Sequence, residues 1–279
     1  MNGSAEVTTT IMILVDAHVH FHSCFPPTAF VAAAAENLGS AAAALGADQH
    51  ASGVLCLTES RDADWFGQLR LLADGEPGAA AIPGWSVAPT EESSSVMLTD
   101  GAERRLFVVA GRQIVTKERL EVLALCTAAA FEDGRPIEET IRSVQDVGGV
   151  AVLPWGFGKW LAGRGRIVER IIRTSDASLC LGDNSGRMRG WAPPREFADA
   201  LKRGVRVLPG SDPLPFPGEY RKVGSYGFCI PTTLDSRRPA RDLARILPRS
   251  EIRPFGKLET PHRFIINQLR MQLHNRVLA

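Results

Sequence analysis

Hydrophobic positions along the chain fall into strand-like runs and helix-like periods. Ile11-Met-Ile-Leu-Val15 is a short aliphatic run of the kind that forms a buried strand. Pro26–Gly46 is alanine-rich helix-forming sequence stopped by a glycine. Gly53-Val-Leu-Cys-Leu57 predicts a second strand. Asp64–Ala73, apolar at Trp65, Phe66, Leu69 and Leu72, predicts a second helix. Trp85–Val87, Ser95–Thr99 and Arg105–Ala110 read as strands, with Asp100-Gly101 as the hairpin signal between the last two. Leu120–Leu125 is a further strand, and Pro136–Val147 a helix ended by Gly148-Gly149. From there the pattern alternates: strands at Val150–Pro154, Leu179–Gly182 and Val205–Pro209, helices at Arg166–Arg173 and Arg195–Arg203. Such spacing implies parallel strands joined by crossover helices. Asp235–Ala279 reads as helical. Its last helix, apolar at Phe264, Ile265, Leu269, Leu273 and Val277, is expected to cover the flank or bottom of the strands.

Composition narrows the class. At 279 residues, 44% hydrophobic and 23% charged, the chain can bury a sizeable core. A net charge of +1 gives no global pull toward nucleic acid or membrane. No run is long and apolar enough for a signal-peptide core or a membrane span. The expectation is a cytoplasmic protein with no nucleic-acid and no membrane partner, its oligomeric state left open. Of the five cysteines, Cys56, Cys126, Cys180 and Cys229 lie within apolar runs, and no CxxC pair occurs. That suits buried thiols rather than a disulfide framework or a cysteine zinc site.

The first strand runs directly into Asp16-Ala-His18-Val-His20-Phe-His22. Side chains two apart on an extended backbone share a face. His18 and His20 therefore leave the strand end together, and two neutral imidazoles there can grip one divalent cation. The bland alternative is a solvated histidine cluster after an edge strand; His22 follows where the loop is expected to turn. Other strand ends carry Glu59, Arg112 and Gln113, Lys159, Asp183 and Asn184, and finally Asp212. Functional groups of parallel α/β folds gather at such carboxyl ends. Asp212, in Pro-Gly-Ser-Asp-Pro, suits a metal ligand, a general base or a plain turn cap. Arg112, Lys159 and Arg187 sit in basic or glycine-rich loops that suit a carboxylate or phosphate, or are simply solvated. Gln113, Asp183 and Asn184 are candidates to orient water or substrate. Trp155, Trp160 and Trp191 point to a pocket with aromatic walls.

In motif order, Asp16-x-His18-x-His20, Gly111-Arg112-Gln113-Ile114 and Pro209-Gly210-Ser211-Asp212 resemble the polymerase-and-histidinol-phosphatase (PHP) domains, relatives of the amidohydrolases. The resemblance spans about Ile13 to Asp212. It implies a distorted TIM-like (β/α)7 barrel with a β-hairpin insertion and a helical C-terminal segment. Residues 11–279 would form one domain, with the barrel core about 11–233, the helical extension about 234–279, and 1–10 a flexible N-terminus. The family's metal cluster is only partly matched. Thr58-Glu59-Ser60 stands where the family has Thr-Asp-His, Gly111-Arg112-Gln113 where it has Gly-x-Glu, and Leu153-Pro154 where it has His-Pro. Pro213-Leu214 follows Asp212 in place of x-His, and Glu121 lies near another family histidine. His18, His20 and Asp212 carry over, with Glu59 as a shifted carboxylate. The resemblance thus implies one divalent ion (Zn, Mn or Fe) rather than three, or none. The expected activity is hydrolysis of a small anionic substrate, a phosphoester first and an amide or lactone second, with Asp212 catalytic. The alternative is a degenerate barrel that binds a ligand or protein partner.

Overall fold

The computed structural model describes residues 11–47, 51–175 and 178–278; the segment 1–10, expected to be flexible, lies outside them. In chain order the elements are β1 (Ile13–Val19), α1 (Pro27–Ala44), β2 (Ser52–Leu57), α2 (Trp65–Ala73), β3 (Trp85–Pro89), β4 (Ser95–Asp100), β5 (Arg105–Val109), β6 (Gly111–Val115), β7 (Glu121–Leu125), α3 (Ile137–Asp146), β8 (Val150–Pro154), α4 (Gly163–Thr174), β9 (Leu179–Asn184), α5 (Arg195–Lys202), β10 (Arg206–Gly210), β11 (Tyr226–Ile230), α6 (Pro239–Ile246), β12 (Arg253–Gly256) and α7 (Pro261–Leu278).

The strands make two mixed sheets. One has seven strands in the order β12-β11-β1-β2-β5-β4-β3; the other has five in the order β10-β9-β8-β7-β6. Within them β1-β2-β5 and β8-β9-β10 run parallel, as the alternation of strand and helix implies. The remaining pairings are antiparallel. At the β4–β5 hairpin the Asp100 carboxylate accepts the N–H groups of Ala102 and Arg104, which is how an aspartate fixes a tight turn.

The expected closed (β/α)7 barrel is corrected by this arrangement. A strand has two hydrogen-bonding edges. Those of β1 go to β2 and to β11, with Ile13, Leu14 and Val15 opposite Ile230, Cys229 and Phe228. No ladder edge is left for β10, whose end meets β1 through the Asp212 N–H and the His18 carbonyl, 2.8 Å apart. Similarly β5 lies between β2 and β4, so β6 joins the first sheet by a short bridge and not by a ladder: Gln113 N–H donates to the Glu59 carbonyl and Glu59 N–H to that of Gly111. Two strands unseen in the sequence, β11 and β12, produce the difference. The segment after Asp235 is therefore helix, strand and helix, not helical throughout.

Inward-facing residues of both sheets share one core. Val15, Val54 and Phe107 of the larger sheet meet Leu123, Val152 and Leu208 of the smaller, and α6 closes this layer with Leu243 and Ile246. Full burial of a side chain such as Phe107 contributes about 2–3 kcal/mol. Helices α1 and α2 cover the outer face of the larger sheet, and α3, α4 and α5 that of the smaller. Cys56, Cys126, Cys180 and Cys229 are buried free thiols; Cys24 is exposed. No helix among the described residues is long and apolar enough to cross a membrane.

Helix α7 departs from its expected place. Ile265, Leu269 and Leu273 are 57%, 55% and 62% exposed, while Phe264 and Asn267 form its buried side. The helix turns Phe264, Gln268, Met271 and His274 toward the cleft described below instead of covering the bottom of the sheets with its aliphatic stripe. The side chain of Val277 lies outside the described residues.

Candidate metal centre

The site forms where the carboxyl ends of β1 and β10 meet. Gly210 makes that approach possible: a Cβ there would lie 2.4 Å from the His18 nitrogen and 2.5 Å from its Cβ. Asp16 fixes the approach from below. Its Oδ1 accepts the Ser211 N–H at 2.8 Å and the His18 N–H at 3.3 Å, and its Oδ2 accepts the Gly224 N–H at 2.8 Å. Burial pushes this carboxyl up to about 7, with the donors from Ser211, Gly224 and His18 pulling against it. Asp16 shares the parity of the histidines yet serves the backbone that carries Asp212. Asp212 itself has φ +46°, a left-handed conformation uncommon outside glycine, and this turns its side chain back over β1.

Three donor atoms converge there. His18 Nε2 and His20 Nε2 are 3.1 Å apart, and Asp212 Oδ1 lies 3.5 Å from the first and 3.6 Å from the second. Bonds of about 2.0–2.1 Å to a tetrahedral ion place neighbouring ligand atoms roughly 3.3–3.4 Å apart, so the triangle fits one cation of zinc size. Two imidazole nitrogens facing each other at this distance need a shared proton or a shared cation between them. The three residues form the candidate metal-holding group among the described residues. Burial, with the neighbouring His18, lowers the His20 pKa to about 3 and keeps the ring neutral, as a ligand must be. Burial pushes the Asp212 carboxyl up, but the basic groups around it outweigh burial and hold the group below its ordinary value. His22 props this arrangement. Its Nε2 hydrogen bonds to the Pro213 carbonyl at 3.0 Å, and its ring stacks on His20 at 5.6 Å.

These donors lie in the floor of a cleft of about 610 Å³. Of the other residues singled out in the sequence, Gln113, Lys159 and Asn184 line the same cleft. Lys159 Nζ is 2.5 Å from both oxygens of Glu121, which thereby enters the site from the start of β7. Asn184 Nδ2 donates to the Trp155 carbonyl and holds the loop after β8. Glu59 is adjacent but otherwise engaged: its Oε1 accepts the N–H groups of Trp65 and Phe66 at 2.6 and 3.0 Å, satisfying the first turn of α2. Arg112 donates to the carbonyls of Ser60 and Ala63. Arg187 is clamped in a two-pronged pair with Asp183, which also accepts the Tyr226 hydroxyl, and neither Arg187 nor Asp183 lines the cleft. The contribution of α7 was invisible in the sequence, because its aliphatic stripe masked the mixed polar face at Asn267, Gln268, Met271 and His274. A larger cavity of about 720 Å³, between α1 and the starts of β1, β2 and β5, is lined by Leu14, Leu38, Trp85 and alanines together with Glu103, Arg104 and Arg105, and contains none of these donors.

No family model matches the chain, and no curated protein matches it in sequence. Among solved structures it is similar to the crystal structure of PsfC from Pseudomonas syringae PB-5123, at 17% identity and a TM-score of 0.57, over 94% of this chain and 99% of that one. It is also similar to the crystal structure of the novel lesion-specific endonuclease PfuEndoQ from Pyrococcus furiosus, at 12% identity and a TM-score of 0.49, over 87% of this chain and 58% of that one. The second protein is by name an endonuclease, so the expectation of no nucleic-acid partner, read from the balanced charge, is withdrawn. The first likeness shows that the chain shares its fold, nearly end to end, with PsfC.

Proposed function

We propose that the protein is a metal-dependent hydrolase, related to the PHP metal enzymes, that cleaves a phosphoester. One observation carries this reading: His18 Nε2, His20 Nε2 and Asp212 Oδ1 form a triangle of 3.1, 3.5 and 3.6 Å in the floor of a cleft. A divalent ion there supplies Lewis acidity and brings the pKa of water toward about 7. His18 and His20 hold the ion as neutral imidazoles. Asp212, whose pKa lies below the ordinary carboxylate value, would complete the ligand set with its carboxylate and could take up a proton there. Lys159 stands across the cleft as the cation that faces the phosphoryl oxygens, its charge tempered and its position fixed by Glu121. Gln113 and Asn184 line the same cleft and orient the substrate. Glu59 acts one layer out, by positioning α2.

The test is metal content and turnover together. Purified protein supplied with Zn, Mn or Fe is analysed for bound metal and assayed with p-nitrophenyl phosphate, bis-p-nitrophenyl phosphate, and a parallel amide and lactone set. The reading expects close to one metal ion per chain, lost in His18→Ala and His20→Ala, and phosphoester turnover that falls with it. Stoichiometric metal with turnover confined to amides or lactones would replace the substrate class. Absence of metal under all three supplies would leave a binding protein.

A further inference from the structure

The cleft has two chemically different ends. Its floor carries the metal-holding group and Lys159; its rim carries Trp155 and Phe157 from the loop after β8, and Phe264 and Met271 from α7. Its volume of about 610 Å³ far exceeds a phosphoryl group and falls in the range that encloses a whole small molecule, roughly 300–1,000 Å³. The rim is built rather than loose. Phe157 stands edge-on to Phe264 at 5.3 Å and leans on Trp191 at 5.8 Å, while Trp191 meets Phe264 at 5.2 Å. Although two rings fix it, Phe157 is still 52% exposed. The α7 wall is anchored as firmly. Lys222 Nζ lies 2.5 Å from Glu259 and 2.9 Å from Glu219, and Asn267 Nδ2 donates to Glu259 at 3.3 Å.

An aromatic ring that is held in place yet open on one side is a stacking surface. A methionine in the same cleft lining, Met271, adapts to the edge of a flat group through its polarisable sulfur. We infer that the cleft takes a phosphoester whose ester-linked group is planar and aromatic, received between Phe157 and Met271 while the phosphoryl group lies on the floor. The phosphoryl end rests on the hydrolase reading above; the aromatic slot stands on the rim alone. Phe157 and Met271 are then specificity-determining residues, and α7 is part of the site.

The test compares three non-hydrolysable probes by calorimetry on metal-supplied protein: methylphosphonate, 1-naphthylphosphonate and a nucleoside 5′-phosphonate. The slot predicts that the naphthyl compound binds about tenfold or more tightly than the methyl compound. That preference should shrink to about threefold or less in Phe157→Ala and Met271→Ala, with melting temperature and metal content kept. Phe157→Leu, which keeps apolar contact but removes the ring, guards against a folding artefact and should lose most of the preference as well. The nucleoside probe sorts a base from a plain aryl ring, and tighter binding than methylphosphonate by either supports the slot. Equal affinity for all three probes, or a preference untouched by the three variants, overturns it. A preference without turnover of any phosphoester sinks the hydrolase reading and leaves the slot; turnover without preference does the reverse.

Discussion

The backbone N–H of Asp212 donates to the carbonyl of His18 at 2.8 Å, so the carboxylate donor is fixed to the very strand that carries the first imidazole. This joint depends on Gly210, because any Cβ there would overlap the His18 backbone at 2.4–2.9 Å. Gly210→Ala should therefore force the ends of β1 and β10 apart. A stability loss of about 3 kcal/mol is expected, at the upper end for overpacking, because backbone atoms are in the way. Denaturant unfolding measures the loss. Metal affinity should fall in parallel, since the three donors no longer close to ligand spacing.

Much of the candidate site was legible in the sequence, for a physical reason. Residues two apart on a strand share a face, so His18 and His20 announced themselves, and Asp212 stood at the end of the last recognisable parallel strand. The sheet closure was not legible, because Tyr226–Ile230 and Arg253–Gly256 are short and glycine-interrupted, and their antiparallel partners are set by tertiary contact. Nor could local pattern separate Lys159, which faces the cleft, from Arg112 and Arg187, which are turned onto protein acceptors. All three are cations near strand ends, and only the position of their partners divides them.

Glu59 distinguishes a ligand from a capping group. Its Oε1 already serves two helix N–H groups, and a glutamine oxygen can accept both equally well. Glu59→Gln should fold and retain the metal. The sign of its pH effect follows from the raised pKa, which burial causes despite the N–H groups of Phe66 and Trp65. The wild-type contribution is complete below the ordinary glutamate range and declines as pH rises through the raised value, whereas glutamine does not titrate. The variant should therefore gain stability relative to wild type as pH rises above the ordinary glutamate range. Loss of bound metal in this variant would instead make Glu59 a fourth ligand.

Asp16 should behave as a positioning residue with its own pH signature. In Asp16→Asn one N–H donor of Ser211 or Gly224 faces an amide NH2, which breaks a buried bond to the carboxyl group and costs about 1–3 kcal/mol. The wild-type carboxyl moves from 3.8 to about 7 on folding, so its stabilisation is full below 3.8 and is lost as pH rises through 7. The gap between wild type and Asp16→Asn should thus be widest below about pH 4 and narrow steadily toward pH 8. Urea melts of both proteins at the two pH values measure it; a gap that widens with pH would contradict the assignment.

Arg187 reads from the sequence as an anion-binding residue, and in the structure its guanidinium is paired with Asp183. Its Nε and Nη2 pair with the two oxygens of Asp183 at 2.9 and 2.8 Å, while Tyr226 on β11 donates to the same carboxylate at 2.8 Å. The trio ties β9 of the smaller sheet to β11 of the larger, across the seam where no ladder joins them. The Asp183 hydrogen bond raises the Arg187 pKa, and burial raises that of Tyr226, so neither group changes charge near neutrality. Arg187→Met leaves a buried carboxylate with one neutral partner, and a loss of about 3–5 kcal/mol is expected. The double variant Asp183→Asn/Arg187→Met removes the stranded charge as well and should recover part of that loss. Affinity for phosphonates, measured on the folded fraction, should stay within about twofold of wild type in both variants, because the side chain does not line the cleft. A large drop in affinity at unchanged stability would return Arg187 to the binding site and remove the seam as its reason for being there.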